Sequence, residues 1–322
     1  MRNLGKLAVL GITALGLALA GPQDNSLVIG ASQEPRVLAG DFLSVISNQA
    51  IKSEIEQYLF APFIGFNADS QNFPVLATEV PTLENGRLRV TDIGGGKKRL
   101  EMDITIRPDA KWSDGRPITT EDVAFYFEVG KAKGMPVLNP DFWERVNVRI
   151  KDARNFTLIF EPAYYYDTYG PINTYAPKHI MGPEWERVKA AARGLDPQKD
   201  AEKLNALYRN FFIKFSTPQA LNRGAMVYSG PFMLRRWVPG NSIEMVRNPN
   251  FPIKPEGGES KYVQKVVYRF IQNTNSLLVA VIGGSIDATS SVSLTFDQGR
   301  SPQLVRRAPG RFDIWFVPGA IW

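Results

Sequence analysis

Hydrophobic and polar residues alternate along several short segments of the chain, which is the pattern of strands with one buried face. Over residues 100–107 every second side chain is apolar, and Phe156, Leu158 and Phe160 repeat that spacing. Because successive side chains point to opposite faces of a strand, both segments are predicted to be half-buried antiparallel strands. Further strands are predicted at 26–30, 232–237, 243–247 and 266–271.

Between these strands, apolar residues recur at helical spacing. Ile51, Ile55 and Leu59 share one face of a predicted helix, with Ser47 or Asn48 as its N-cap. Further helices are predicted at 183–193, 196–216 and 276–282. Because helices and strands are mixed without a strict βα alternation, the predicted fold class is α/β in the mixed α+β sense.

Two of these predicted helices show a further feature in their sequence. Pro183 is expected at the first position of its helix, where a missing N–H group costs little. Residues 204–215 place leucine and aromatic side chains on one stripe of the next helix. We interpret that stripe as core packing, because a helix buries its apolar face against the rest of a globular domain.

The most specific local pattern covers residues 111–127. Asp114 and Gly115 predict a tight turn after a strand. Thr119 is a suitable N-cap, and Asp122, three residues later, can return a hydrogen bond as in a capping box. The segment therefore predicts a strand, a turn and a capped helix, which is a structural unit without chemistry of its own.

The first twenty residues have the pattern of a secretory signal peptide. Arg2 and Lys6 precede an apolar stretch over residues 7–20, and Ala18 and Ala20 are small residues at the positions that a signal peptidase reads. The other interpretation is a membrane anchor, but the stretch is shorter than the roughly 20 residues that span a bilayer. We predict cleavage after Ala20 and an extracytoplasmic location, periplasmic or secreted.

Composition and charge narrow the possible functions. The 322 residues include no cysteine and one histidine, which excludes disulfides, thiolate ligands, a lipid-modified cysteine and a His-rich metal site. We therefore expect no metal, no cofactor and no lipoprotein. The formal net charge of +6 is spread without a run of five like charges, so no nucleic-acid partner is expected.

Candidate catalytic groups are few. His179 is the only histidine that could serve as the base of a Ser-His-Asp hydrolase, and the sequence has no Gly-x-Ser-x-Gly motif. Residues 94–97 contain three glycines and a lysine, but they lack the spacing of a phosphate-binding loop and predict a hairpin turn. We predict that the protein is not an enzyme, and a secreted hydrolase is kept as an alternative.

The segment 111–127 resembles the signature of the family 5 extracellular solute-binding proteins, the oligopeptide-, dipeptide- and nickel-binding receptors of ABC importers. Further motifs resemble that family in the same order along the chain: YLFAPFIGF at 58–66, PVLATEVP at 74–81, PKHI at 177–180, SGPFML at 229–234 and GGSID at 283–287. The resemblance extends from about residue 26 to the end of the sequence.

This resemblance implies a periplasmic-binding-protein-like type II fold, in which two lobes close on a ligand. The implied organisation is a discontinuous first-lobe domain at 25–62 and 175–287, an extra domain inserted at 63–174, and the start of the second lobe at 288–322. Because family members are longer, we expect the chain to be an incomplete receptor that arises from a split gene, a frameshift or a truncated sequence.

The implied function is that of the substrate-binding component of an ABC importer. It would capture a peptide or a similar small solute in the periplasm and deliver it to the membrane permease. If the gene is split, a separately encoded C-terminal half would be a further partner. Another function on the same fold, a non-transport sensor or chaperone-like lobe, stays open because fold does not fix function.

Two loops supply the candidate ligand contacts of the first lobe. These residues follow the first strand or precede the Gly-Pro turn: Ser32, Gln33, Glu34, Val227, Tyr228 and Ser229. Glu34 could pair with a ligand amine, and Tyr228 could stack on the ligand or donate a hydrogen bond to it. The alternative for each of them is an ordinary loop residue.

Export gives the first testable prediction. Protein recovered from the cell envelope should begin at Gly21, because signal peptidase is expected to cleave after Ala20. N-terminal sequencing measures this directly, and a mature protein that still begins at Met1 would contradict the prediction.

Overall fold

The computed structural model describes residues 25–67, 69–164, 167, 176–254, 262–306 and 313–314. The predicted signal peptide and its cleavage site lie outside these residues. Within them, the strands form a five-stranded sheet, a four-stranded sheet and a two-stranded hairpin. Among the described residues, no helix combines the length and the hydropathy that crossing a membrane requires.

The five-stranded sheet combines strands from distant parts of the chain. Its order is β11 (Ala288–Thr289), β1 (Ser26–Ala31), β10 (Lys265–Phe270), β9 (Ser242–Arg247) and β8 (Phe232–Val238). β1 pairs in parallel with β10 and β11, whereas β9 is antiparallel to both of its neighbours. All of its strands except β9 therefore run in one direction and end at the same edge of the sheet.

We call this edge the carboxyl-end edge. It consists of the residues that follow these strands: 32–34, 239–241, 271–273 and 290–293. The four strands that sequence patterns predicted here are confirmed, with shifts of at most two residues at their ends. Their neighbours in the sheet could not be derived from alternation alone.

The four-stranded sheet is antiparallel throughout. Its order is β4 (Leu88–Gly94), β5 (Lys97–Thr105), β7 (Asn155–Phe160) and β6 (Val146–Ile150). The alternation predicted over 100–107 and 156–160 corresponds to β5 and β7, whose apolar side chains enter the core. The glycines at 94–96 make the predicted hairpin turn, and all three adopt positive φ angles. The short hairpin is β2 (Ile64–Phe66) with β3 (Asn72–Pro74).

The outer face of the four-stranded sheet carries ion pairs across its strands. Arg89 Nη1 and Lys151 Nζ each lie 2.7 Å from Asp103, and Arg149 lies 3.1 Å from Glu101. Partial burial acts to raise the pKa of Asp103, but these hydrogen bonds outweigh it and hold that pKa well below its ordinary value. The carboxylates of this face are thus neutralised by cations of the same face.

Helices cover the sheets and connect them. Their bounds are α1 (Ala50–Leu59), α2 (Thr120–Gly130), α3 (Pro140–Arg145), α4 (Lys178–Ala192), α5 (Ala201–Ser216), α6 (Pro218–Asn222), α7 (Thr274–Ile282), α8 (Phe296–Gly299) and α9 (Pro302–Val305). The capping box predicted for α2 is confirmed, because the side chains of Thr119 and Asp122 each accept a hydrogen bond from the other's segment. The apolar stripe of α5 is core: Phe211 and Phe212 are fully buried, and Phe211 lies 5.2 Å from the ring of Trp185.

Three predictions of helix ends were wrong. Pro183 lies inside α4, because Asp122 and Pro177 accept hydrogen bonds at the N-terminus of this helix and start it one turn earlier. α5 begins at Ala201, since Asp196 instead closes a turn with the backbone of the next residues. The N-cap of α1 is Gln49 without a side-chain cap bond, in place of Ser47 or Asn48.

A buried polar cluster fixes the loop between β1 and α1. Lys52, Glu56 and Asp41 are 2%, 5% and 0% exposed. Lys52 Nζ donates to the backbone oxygen of Asp41 at 2.9 Å and to Glu56 Oε2 at 3.2 Å, and Glu56 Oε1 accepts from the Ala39 N–H. Burial raises the pKa of Glu56 to about 7 and also raises that of Asp41. This cluster therefore determines the path of the chain that leads away from the carboxyl-end edge.

Removing the cation from this cluster should destabilise the fold in a pH-dependent way. Lys52→Met should lower the free energy of unfolding by about 3 kcal/mol at pH 8, because two buried carboxyl groups lose their positive partner. The loss should shrink below pH 7. Glu56 has a folded-state pKa above its ordinary value of 4.5, so the folded protein takes up a proton there before the unfolded chain does.

Urea denaturation at pH 5.5 and pH 8, followed by circular dichroism, measures both values. As a control, Glu56→Gln in the Lys52→Met background should recover part of the stability at pH 8. An equal loss at the two pH values would contradict this account of the cluster.

Candidate functional site

The carboxyl-end edge of the five-stranded sheet is the candidate functional site. In open sheets with parallel strands, ligands bind in the crevice outside the carboxyl ends of the strands. Here β1, β8, β10 and β11 all end at that edge, and each of the loops that follow them contains polar residues. Two of these loops, 32–34 and 290–293, come from opposite parts of the sequence and contact each other.

The three candidate residues after β1 have different surroundings. Ser32 donates from its hydroxyl to the backbone oxygen of Val292 at 2.5 Å. Gln33 is exposed, and its side chain has no hydrogen-bond partner in the described part of the chain. Glu34 accepts from the Trp237 indole N–H at 2.7 Å and from the Gly240 backbone N–H at 2.8 Å. Ser32 and Glu34 therefore join this loop to its neighbours, and Gln33 is left with a free amide.

Gln49, just before α1, is hydrogen-bonded to two points of this loop. Its Nε2 donates to the backbone oxygen of Glu34 at 3.3 Å, and its Oε1 accepts from the Arg36 backbone N–H at 2.7 Å. A side-chain amide with both groups engaged holds two points of the loop at once. The backbone of this loop at Glu34 and Arg36 is thus attached to the start of α1.

The loop after β11 completes the edge. The backbone N–H of Ser290 donates to the Gly30 oxygen at 2.9 Å, and the Ser293 hydroxyl donates to the same oxygen at 2.7 Å. Glu54 on α1 accepts three hydrogen bonds from Ser290 and Ser291. Sequence reasoning missed Glu54 and these serines; the only signal was three serines in four residues shortly after the GGSID turn.

The candidate residues before β8 lie at the opposite end of the sheet. β8 runs in the direction of β1, so the residues that precede Phe232 are separated from Glu34 by the length of the strand, roughly 20 Å. Val227, Tyr228 and Ser229 are all buried. The structure therefore does not bring the two candidate groups together.

The surroundings of these buried residues are those of a joint between the two sheets. Tyr228 and Ser113 exchange two hydrogen bonds, of 2.8 Å and 3.0 Å. The Ser229 hydroxyl accepts from the Ala61 N–H at 3.2 Å, and the ring of Tyr228 lies 5.8 Å from that of Phe60. Burial raises the pKa of the Tyr228 phenol, so this side chain stays neutral.

The one histidine lies away from the carboxyl-end edge, at the start of α4. Its Nε2 is 2.9 Å from Asp114 Oδ2, and its ring contacts Trp112 edge to face. Within the described ranges it has no hydroxyl partner that could act as a nucleophile. In the same ranges, no three acidic or histidine side chains are placed to hold a metal ion.

A comparison with known families decides the assignment. The model of the family described as bacterial extracellular solute-binding proteins, family 5 Middle, matches residues 97–310. The chain belongs to this family. The resemblance that the motifs indicated is thereby confirmed.

The chain is similar to three proteins whose names or structures indicate a binding function. An oligopeptide-binding protein from Thermus thermophilus, crystallised with a pentapeptide, is 97% identical and superposes with a TM-score of 0.92 over 94% of this chain and 50% of that one. The oligopeptide-binding protein AppA from Bacillus subtilis is 22% identical over 270 residues, 82% of this chain and 40% of AppA. NikZ from Campylobacter jejuni, crystallised with Ni(L-His), is 17% identical with a TM-score of 0.52, over 82% of this chain and 43% of NikZ.

These comparisons confirm the predicted fold class, the type II fold of solute-binding proteins. The likeness to NikZ shows the fold alone, because the identity is low. All three relatives are binding proteins by name or by bound ligand. The chain spans half of the Thermus protein and less than half of the other two.

The contacts of Glu34 give a prediction for the site. Glu34→Gln should lower the free energy of unfolding by about 1–2 kcal/mol, because an amide oxygen can replace only one of the two acceptors and the NH2 group then faces a donor. The neighbouring Gln33→Ala should change stability by less than about 0.5 kcal/mol. Chemical denaturation measures both variants, and equal stability of Glu34→Gln and the parent protein would show that these two bonds do not hold the loop.

Proposed function

We propose that the protein is the substrate-binding component of an ABC-type importer, and that it captures a peptide and delivers it to a membrane permease. The observation that carries this proposal is the 97% identity, over 94% of the chain, to an oligopeptide-binding protein crystallised with a pentapeptide. The family description and AppA, itself named an oligopeptide-binding protein, agree with it.

The proposed binding surface is the carboxyl-end edge. Peptides of varied sequence are held mainly through their backbone, with side chains in roomy pockets. Gln33 offers an exposed amide that can both donate to and accept from a peptide backbone. Both hydrogen-bond donors to Glu34 are neutral, and it has no ion pair among the described residues. Its negative charge is therefore available to attract a ligand ammonium group.

The domain organisation follows from the same proposal. The first-lobe domain, 25–62 with 175–287, accords with β1 sharing a sheet with β8, β9 and β10. The inserted domain, 63–174, accords with the separate sheet of β4 to β7. The second lobe is proposed to start at residue 288, where β11 (Ala288–Thr289) still pairs with β1. Ligand contacts by Val227, Tyr228 and Ser229 stay a prediction.

The proposed location is the periplasm or the outside of the cell, reached through the cleaved signal peptide. Membership in a family of extracellular solute-binding proteins supports export. A free protein without a lipid anchor is proposed because the sequence has no cysteine for lipid attachment. Fractionation of cells followed by detection in the soluble envelope fraction tests this location.

Peptide binding is tested most directly with pentaalanine, a ligand without distinctive side chains. Titration calorimetry should show saturable binding of pentaalanine and none of free alanine, because the backbone amides carry the interaction. Gln33→Ala should weaken the affinity for pentaalanine about fivefold through the loss of hydrogen bonds to the ligand.

The matched control is Gln198→Ala, which removes an exposed amide between α4 and α5, outside the loops of the carboxyl-end edge. This variant should bind as the parent protein does. If the parent protein bound no pentaalanine, and native mass spectrometry of protein purified from its host showed no peptide, the proposed function would be wrong.

A further inference from the structure

Glu54, on α1, accepts four hydrogen bonds from residues that lie outside this helix. Its Oε1 accepts from the Tyr268 hydroxyl at 2.8 Å. Its Oε2 accepts from the Ser290 hydroxyl at 2.9 Å, the Ser291 backbone N–H at 3.0 Å and the Ser291 hydroxyl at 2.6 Å. One side chain thus connects α1, β10 and the loop after β11.

All four donors to Glu54 are neutral, and this carboxylate has no ion pair in the part of the chain that the structure describes. Hydrogen bonds to an ionised acceptor are stronger than those between neutral groups. A carboxylate that depends on neutral donors therefore holds each of them firmly. Three of the four donors belong to Ser290 and Ser291.

The loop after β11 has few other attachments. β11 has two residues and pairs with β1 alone, through Ile29 with Ala288 and Gly30 with Thr289. Beyond it, the Ser290 backbone N–H and the Ser293 hydroxyl both donate to the Gly30 oxygen, and the Ser32 hydroxyl donates to the backbone oxygen of Val292. A strand this short does not fix the direction of the chain that follows it, because only a few backbone bonds would have to open.

We propose that Glu54 is a positioning residue of the candidate site, which fixes Ser290 and Ser291 at the carboxyl-end edge. Through the contact of Ser32 with Val292, the same carboxylate keeps the loop of Gln33 and Glu34 in place. This role depends on the proposed function in one respect, which is that the ligand binds at the carboxyl-end edge. Glu54 itself does not contact the ligand in this proposal.

If Glu54 had a purely structural role, its loss would give a different experimental result. Tyr268 is fully buried in the core of the sheet, so loss of its bond to Glu54 acts on general stability. Ser291 is exposed, so loss of its bonds to Glu54 affects the order of the carboxyl-end edge and not the stability of the core. Tyr268→Phe and Ser291→Ala therefore separate the two effects of Glu54.

The test compares Glu54→Gln with Gln57→Ala, which changes an exposed side chain on the same helix. Hydrogen–deuterium exchange, read by mass spectrometry, follows peptides from 288–295, 264–270 and 50–59. Titration with pentaalanine follows binding. Glu54→Gln keeps one oxygen that can accept from the Tyr268 hydroxyl, while its NH2 group faces the donors of Ser290 and Ser291. The variant should therefore speed exchange in 288–295 about tenfold, leave the other two regions unchanged, and weaken the affinity for pentaalanine about fivefold.

Ser291→Ala should produce the same local change to a smaller degree, and it carries the test if the Glu54 variant does not fold. Gln57→Ala should match the parent protein in every measurement. Exchange in 288–295 that stays at the parent rate would overturn the proposal. So would acceleration in all three regions together, because that is the result of a general loss of stability.

Faster local exchange with an unchanged affinity for pentaalanine would also overturn the positioning role. If the parent protein bound no pentaalanine while exchange in 288–295 still rose in Glu54→Gln, the proposed function would fail. In that case the exchange data alone would still show that Glu54 holds this loop in place.

Discussion

The parallel pairing of β1 with strands from the far end of the sequence is the constraint on which the rest of the structure depends. Ser26 pairs with Lys265, and Ile29 pairs with Ala288. Closing so long a loop costs entropy before any contact is gained, so this sheet can form only after most of the chain is available. The same pairing collects the ends of several strands at one edge and thereby creates the candidate site.

The carboxylates on the outer face of the four-stranded sheet and those near the carboxyl-end edge have different partners. On the outer face of the four-stranded sheet, Asp103 and Glu101 are neutralised by arginine and lysine side chains. At the five-stranded sheet, Glu34 and Glu54 are held by neutral hydroxyl, indole and backbone donors. Neutral donors position a carboxylate without cancelling its charge. Glu34 and Glu54 therefore keep their negative charges without a cation partner among the described residues.

Local patterns in the sequence predicted the elements well and their arrangement poorly. The alternation in β5 and β7, the glycine turn at 94–96 and the capping box of Thr119 are properties of neighbouring residues, and all were found. The start of α4 depends on Asp122, a residue more than fifty positions away, so Pro183 was misplaced. No local pattern could reveal these distant partners.

The residues of the candidate site could likewise be predicted only where the local sequence pointed to them. Glu34 was singled out because it follows the first strand, and the structure does place it at the carboxyl-end edge. Glu54 was missed because its partners, Tyr268, Ser290 and Ser291, are more than two hundred residues away along the chain. A glutamate in the middle of an amphipathic helix gives no sign of that role. Its surroundings exist only once β1, β10 and β11 are assembled.

Two of the motifs that resemble the family belong to the joint between the sheets and not to the carboxyl-end edge. Ser113 of the signature turn is bonded to Tyr228, and Gly230 of the Gly-Pro turn packs so closely that an added Cβ would lie 2.5 Å from the Leu59 carbonyl carbon. Such motifs preserve the scaffold, on which relatives are seen with a pentapeptide or with Ni(L-His). The family can therefore be recognised from this joint, whereas Gln33 and Glu34 of the proposed binding surface lie outside every motif that resembles the family.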